Sequence, residues 1–224
     1  MILLKPQLIE AIEKKEIIFT GSIENIGSNS IDVTLNKYLK TYIPCEIIKI
    51  SKNNKLYNMI VPKNKNNFDF ISMDEDNKTY TYEIPTEGLI LSPDILYLGA
   101  TNEVAGSDYY LPMYEGRSST ARLGFQSHLS AGFGDLGFKS NWTLEIIVIH
   151  PLLIFPNSRV GQVYFHSVDE NSQKILKINN DLYNSKYNNQ PIAQPSKMYL
   201  DFSNKKCKTR NPNVNGGFTG AGDA

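Results

Sequence analysis

Cysteine is nearly absent from this chain: Cys45 and Cys207 are the only two in 224 residues, and they stand far apart. They can build neither a disulfide framework nor a C-x-x-C metal clamp, and both read as free thiols. Net charge is missing as well, because 23 Lys and Arg balance 23 Asp and Glu. Without an overall positive field a nucleic-acid polymer is not an expected partner, since such binding rests on many Lys and Arg contacts to phosphate. A local cationic pocket for one polyphosphate stays open. Long apolar runs are also lacking. The greasiest stretch, LEIIVIHPLLIF from Leu144 to Phe155, contains Glu145, His150 and Pro151 and falls short of the roughly 20 residues that span a bilayer. Charges interrupt the opening MILLKPQLIEAIEKK every few positions, unlike a secretory signal. These gaps lead to the expectation of a soluble, cytoplasmic protein with no membrane partner. There is no internal repeat, and 41% hydrophobic residues is enough for a core without staples.

What is present is a strand-rich pattern. After Pro6, which suits a first helical turn, Leu8, Ile9, Ile12 and Ile17 recur near helical spacing, so residues 6 to 15 are predicted as a short amphipathic helix. From Ile31 the period shortens. IDVTL, YIPCEIIKI, NMIVP, FDFI, TYTYEI, GLILS, ILYLGA, YYLPMYE, TLEIIVIH and VGQVYFHSV are separated by Asn, Gly, Pro and Lys clusters, which predicts a mainly β barrel or sandwich. The Asn- and Lys-rich stretches 51–67 and 170–190 read as exposed hairpin tips or loops. One domain over residues 1–202 is expected, followed by a flexible Gly-rich tail over 203–224.

The segment Glu115 to Ile146, EGRSSTARLGFQSHLSAGFGDLGFKSNWTLEI, places polar residues inside core-like strands, and buried polar groups need a reason. Gly116 permits a tight turn, Ser118 or Ser119 can cap a short helix of Thr120, Ala121 and Arg122, and Arg117 adds a cation beside it. That combination suits a phosphate group or an ordinary capped turn. In NWTLEIIVI, alternation sets Thr143, Glu145 and Ile147 on one face and Trp142, Leu144 and Ile146 on the other. An acid there is costly unless paired, and Arg122 is the nearest candidate partner in the motif, giving either a structural ion pair or an oriented general base. Asp135 lies between glycines, where a turn role is usual. His128, His150 and His166 are scattered and receive no role.

Taken together, GRSSTARLG (116–124), HLSAGFGDLGF (128–138) and WTLEI (142–146) resemble the signature block of dCTP deaminases in the dCTP deaminase and dUTPase superfamily. SIDVTLN (30–36), RVGQVYF (159–165) and KYNNQPIAQPSK (186–197) are similar to further segments of that family, and the likeness runs in order from residue 1 to about 202. It implies a distorted, jelly-roll-like β-barrel with few helices, assembling as a homotrimer with active sites between subunits. By position, Glu145 would be the general base and proton shuttle, Arg122 its orienting partner, and Ser118 a holder of the catalytic water, for which Ala131 leaves room. Arg117, Ser118, Ser119, Gln162, Lys186 and Gln190 match positions around the triphosphate, and Asp135 the one that contacts the sugar. The backbone of Thr143 and Leu144 would face the base. Leu136 stands where the family usually has proline, Asn141 precedes Trp142, the 51–67 insert is long, and a family tyrosine has only Tyr183 as a shifted counterpart.

The resemblance implies deamination of dCTP to dUTP and ammonia, with Mg2+ carried by the triphosphate and no zinc, since the H-x-E and P-C-x-x-C motifs of zinc deaminases are missing. The tail NGGFTGAG (215–222) is also similar to the Gly-rich motif with which dUTPases cover their nucleotide, making Phe218 a candidate lid, although Arg210 does not reproduce the usual arginine spacing. Alternatives are therefore a bifunctional enzyme giving dUMP and pyrophosphate, with Asp135 activating water at the α-phosphate, a simple dUTPase, or a catalytically idle nucleotide-binding module.

Overall fold

The computed structural model describes residues 1–63, 70–130, 132–169, 171, 186–187 and 191–203. Ala131, Tyr183, Gln190, Cys207, Arg210 and Phe218 lie outside the described residues. The architecture is mainly β, in three distorted sheets that strand pairing does not join into one closed barrel among the described residues.

The N-terminal helix α1 (Lys5–Glu13) has Pro6 in its first turn, and the Gln7 side chain accepts the free Leu4 N–H at 2.9 Å. It buries Leu8 and Ala11, and the chain leaves it at Lys15, which takes a positive φ of 60°. Strand β1 (Ile17–Phe19) and a 3-10 turn (Ile23–Asn25) lead to β2 (Ile31–Thr34) and β3 (Tyr38–Thr41). The hairpin β4 (Cys45–Lys52) to β5 (Lys55–Pro62) turns at Asn53 and Asn54, both with positive φ, as a two-residue type I′ turn requires. Strands β6 (Tyr80–Glu83), β7 (Leu89–Leu91), β8 (Tyr97–Ser107) and β9 (Tyr110–Gly116) follow. The one-turn helix α2 (Ser118–Ala121) precedes β10 (Phe125–Gln126), β11 (Lys139–Val148), β12 (Leu152–Ile154) and β13 (Arg159–Ser167), and α3 (Tyr199–Ser203) comes last.

The largest sheet runs β10-β11-β8-β3-β6, with β1 also on β8; the others run β12-β7-β5-β4 and β2-β13-β9. Of the predicted FDFI strand, Phe68 and Asp69 lie outside the described residues, and Phe70 and Ile71 are exposed and outside any strand. In β11 the expected alternation holds, with Trp142, Leu144, Ile146 and Val148 buried and the intervening residues half-buried. Each fully buried side chain of this kind is worth about 1.5–3 kcal/mol, so the alternate face of β11 is free to carry polar groups.

A register shift between Asn141 and Thr143 bends β11 against β8. Asn141 Nδ2 donates to the carbonyls of Thr101 and Asn102, and Trp142 N–H donates to Thr101 Oγ1. Bulges re-aim the side chains beyond them, and the residues beyond this one are Thr143 and Glu145. Cys45 is buried and unbonded to another cysteine, with burial raising its pKa. No helix among the described residues is long and apolar enough to cross a membrane.

Candidate functional site

The segment Glu115–Ile146 builds two clefts that share no lining residue. The first, of about 670 Å³, lies where β9 runs out into α2 and is lined by Arg117, Ser118, Ser119, Gln162 and Asp32 among others. Its start is fixed by Arg117, extended at φ −90° and ψ 139°, whose carbonyl accepts from Ala121 N and from Thr120 Oγ1. The helix begins at Ser118, two residues earlier than the sequence suggested. Arg117 is the N-cap without a side-chain capping bond, so the hydroxyls of Ser118 and Ser119 sit on an exposed first turn.

Arg117 Nε reaches Asp32 Oδ1 at 3.1 Å, and Arg159 approaches the other oxygen at 3.4 Å. Gln162 stands opposite Asp32 on β2 and Glu115 on β9, and its Oε1 accepts from Ser30 Oγ at 2.9 Å. Glu115 in turn faces His128 Nε2 at 3.3 Å. Sequence reasoning gave Asp32 no role. The available signal was an acid on the half-buried face of IDVT.

The second cleft, of about 540 Å³, holds Glu145 and Asp135 together with Trp142, Phe133, Thr143 and Tyr42. Glu145 is half-buried, and its Oε2 accepts from Leu129 N at 3.0 Å. Asp135 is exposed at the head of a turn closed by Phe138 N–H donating to its carbonyl at 3.0 Å. Gly137 carries the positive φ of 90° that the third position of a type II turn demands. Leu136 fills the second position, where proline is favoured, and is buried. The chain segment 194–196 forms another wall: Gln194 N–H donates to Thr143 Oγ1 at 3.1 Å and Ser196 N–H to Tyr42 Oη at 2.8 Å. Burial is the main cause that raises the Tyr42 pKa. This tyrosine too was missed, since no motif marks it.

Between the clefts stands Tyr114. Its ring stacks on Trp142 at 5.9 Å and meets His128 edge-on at 5.6 Å, and its hydroxyl donates to Ser127 Oγ at 2.8 Å. Burial pushes its pKa up, so it stays a neutral donor. Gly161 passes so close that a Cβ there would lie 2.0 Å from the Tyr114 oxygen.

The expected pairing of Arg122 with Glu145 is not found within the chain. Arg122 is exposed at the end of α2, beside the first cleft, whereas Glu145 opens into the second. The carboxylate is satisfied by a backbone N–H instead. Leu144 is wholly buried with its backbone paired opposite Gly99 of β8, while no strand covers the other edge of β11 at Thr143–Glu145 among the described residues. Lys186 pairs with Asp201 of α3 and lines neither cleft, so the expected cluster of Arg117, Gln162 and Lys186 is not assembled in one chain. Among the described residues no group of three or more His, Cys, Asp or Glu is placed to hold a metal ion.

The dCTP deaminase-like family profile matches residues 2–168. A protein of Clostridium botulinum (strain Eklund 17B) named "dCTP deaminase, dUMP-forming" is 40% identical over 203 residues, covering 90% of this chain and 99% of its own length. One of the same name from Clostridium acetobutylicum is 43% identical over 154 residues, covering 69% and 83%. The crystal structure of 2'-deoxycytidine 5'-triphosphate deaminase from Agrobacterium tumefaciens superposes with a TM-score of 0.51 at 13% identity. That match covers 79% of this chain and about half, 52%, of the Agrobacterium chain, a likeness of fold alone.

Proposed function

The chain belongs to the dCTP deaminase-like family, and from that premise we propose that it deaminates dCTP and then hydrolyses the dUTP formed to dUMP and pyrophosphate. The observation that carries this reading is that two carboxylates, Glu145 and Asp135, open into one cleft beside Trp142 and Phe133. The relatives named dUMP-forming favour this bifunctional reading over a deaminase that stops at dUTP.

In the first reaction Glu145 takes a proton from water as its oxygen bonds to C4 of the cytosine. The same carboxylate passes that proton to N3, then takes the remaining proton from the new C4 hydroxyl and gives it to the amino group, which leaves as ammonia as C4=O forms and the C4–N4 bond breaks. The Leu129 N–H on Oε2 fixes which way the carboxylate points. In the second, Asp135 orients a water toward the α-phosphate. The new P–O bond forms as the bond to the bridging oxygen breaks, and pyrophosphate departs. Mg2+ would travel with the triphosphate and offset its charge.

The triphosphate belongs, in this reading, to the first cleft, where Arg117, Ser118, Ser119 and Gln162 offer donors. Because the two clefts of one chain share no residue and Arg122 makes no ion pair with Glu145, whose carboxylate takes the Leu129 N–H, we place the complete site between copies. One subunit of a homotrimer supplies Glu145 and its neighbour supplies Arg122, Ser118 and the phosphate donors. Ala131, Gln190 and Phe218 keep their sequence-derived roles here as water pocket, phosphate contact and lid.

The test is chromatography of the products from dCTP and from added dUTP, with ammonia and pyrophosphate measured. Ammonia, dUMP and pyrophosphate from dCTP support the reading. Ammonia with dUTP left intact reduces the enzyme to a deaminase, and pyrophosphate from dUTP without ammonia from dCTP makes it a dUTPase.

A further inference from the structure

Asp32 presents a problem that the phosphate reading of the first cleft does not solve. Its carboxylate is largely buried, with 18% of the side chain exposed, on the wall where a highly charged anion would sit. A negative charge there opposes anion binding unless it does something for the groups that bind. Ser30, two residues earlier, turns its hydroxyl to Gln162, which lines the same cleft.

The contacts of these two side chains share one property. Asp32 takes the Nε edge of Arg117, which leaves the two terminal nitrogens of the guanidinium, the fork that suits phosphate oxygens, without a protein partner among the described residues. Ser30 Oγ donates to Gln162 Oε1, which occupies the acceptor end of that amide. The Nε2 donor end makes no protein hydrogen bond among the described residues. In both cases the contact uses up the part of the side chain that an anion does not need. Strand pairing explains how: Gln162 of β13 is the direct register partner of Asp32 on β2, and Glu115 on its other side leads straight into Arg117.

Resting on the phosphate reading of this cleft, we propose that Ser30 and Asp32 are positioning residues, which fix Gln162 and Arg117 with their free donors turned toward the substrate's phosphates. Arg159, more exposed and on the second oxygen of Asp32, holds the carboxylate in place. Neither Ser30 nor Asp32 touches the substrate. Their effect is preorganisation, which lowers the cost of ordering the donors when the anion arrives.

Two substitutions separate this from a bystander ion pair, because electrostatics and positioning predict opposite signs. Calorimetric titration of the full-length protein with inorganic tripolyphosphate reads the phosphate half without calling on base chemistry, and thermal melts accompany it. In Asp32→Asn, loss of a nearby negative charge alone strengthens anion binding, whereas loss of the Arg117 guide weakens it. We expect binding weakened by about five- to tenfold, the size of one misplaced charge-assisted hydrogen bond. Ser30→Ala changes no charge and is expected to weaken binding by about fivefold, with Ser30→Thr restoring it. Equal or tighter binding in Asp32→Asn overturns the assignment for Asp32, and unchanged binding in Ser30→Ala overturns that for Ser30. If Asp32→Asn fails to fold, Asp32→Ser, which also removes the charge and the Arg117 guide, takes its place with the same two outcomes. Failure of the unaltered protein to bind tripolyphosphate overturns the phosphate reading itself, and this proposal with it.

Discussion

The two clefts take most of their lining from one stretch of about thirty residues, 115–146, yet they differ in chemistry. The Arg117 cleft collects a guanidinium, exposed hydroxyls and an amide, with the Asp32 carboxylate on Arg117 and Glu115 on His128. The Glu145 cleft collects two carboxylates and aromatic rings. A nucleoside triphosphate has the same two ends, a charged chain that wants donors and a ring that wants a flat apolar wall with a few polar groups. Splitting the halves onto two faces lets each be built rigidly on its own sheet. In the proposed reading, a single chain then holds both halves but, among the described residues, no completed whole.

The largest expected effect tests the division of labour. Glu145→Gln keeps the shape and the Leu129 N–H contact but cannot take a proton from water, so ammonia release should fall by about 10³-fold, within the usual 10²–10⁴ for a general base. Affinity for dCTP should change only a few-fold. A variant that still releases ammonia at a tenth of the original rate removes Glu145 from its role.

Next in size is the test of where the halves meet. Arg122→Ala and Glu145→Gln should each be inactive alone. If the site joins Arg122 of one subunit to Glu145 of another, random mixing in a trimer restores both groups in about a quarter of sites. Recovery of activity after the two variants are denatured together and refolded is the expected result. No recovery, with trimers formed, places both residues in one subunit.

Arg117→Ala should act on binding more than on turnover. Loss of a charge-assisted phosphate contact is worth about 1.5–3 kcal/mol, a rise in the KM for dCTP of roughly ten- to a hundredfold. The same substitution should leave the weak binding of deoxycytidine, which has no phosphates, unaltered in calorimetry. An equal loss for both ligands would mean that Arg117 supports the fold of the cleft and not the anion.

The sequence disclosed the halves better than the whole. Alternation in NWTLEIIVI set the Glu145 face correctly, because a strand with one buried face allows a single register, and the SIDVTLN and VGQVYF strands form where periodicity put them. Strands β1, β3, β10 and β12 escaped notice because two to four residues display little of a period, and the equally short β7 was read only within the longer run GLILS. The Arg122–Glu145 pair was inferred from closeness in the motif, but proximity along the chain says nothing about which side of a β-strand a later turn will reach. The bulge at Asn141 and the Asp32–Arg117 contact depend on strand register between segments distant in sequence. The parallel pairing of β5 with β7 likewise has no local signature.

The smallest expected effect concerns the wall that the Arg117 cleft lacks and the Glu145 cleft has, the 194–196 segment. Its backbone is tied down by two side-chain oxygens, Thr143 Oγ1 and Tyr42 Oη, and by Ala193, buried beside Leu98 and Ala100 with Tyr42 packed against the cluster. Tyr42→Phe keeps the ring in that packing and removes only the acceptor. Ser196 is exposed, so water can take over its N–H, and the loss should be about 0.5–1 kcal/mol, seen as a slightly lower Tm. Raised by burial, the Tyr42 pKa also gives a sign in pH. The unfolded chain loses this proton first as pH rises past 10, so the folded state then binds more protons than the unfolded one and stability falls. Tyr42→Phe should therefore melt lower than the parent at neutral pH and fall less steeply in alkali. A variant whose alkaline slope matches the parent's would show that Tyr42 contributes nothing to it, leaving the loss to the other groups whose pKa values burial raises, among them Cys45, Tyr82, Tyr97, Tyr110 and Tyr114.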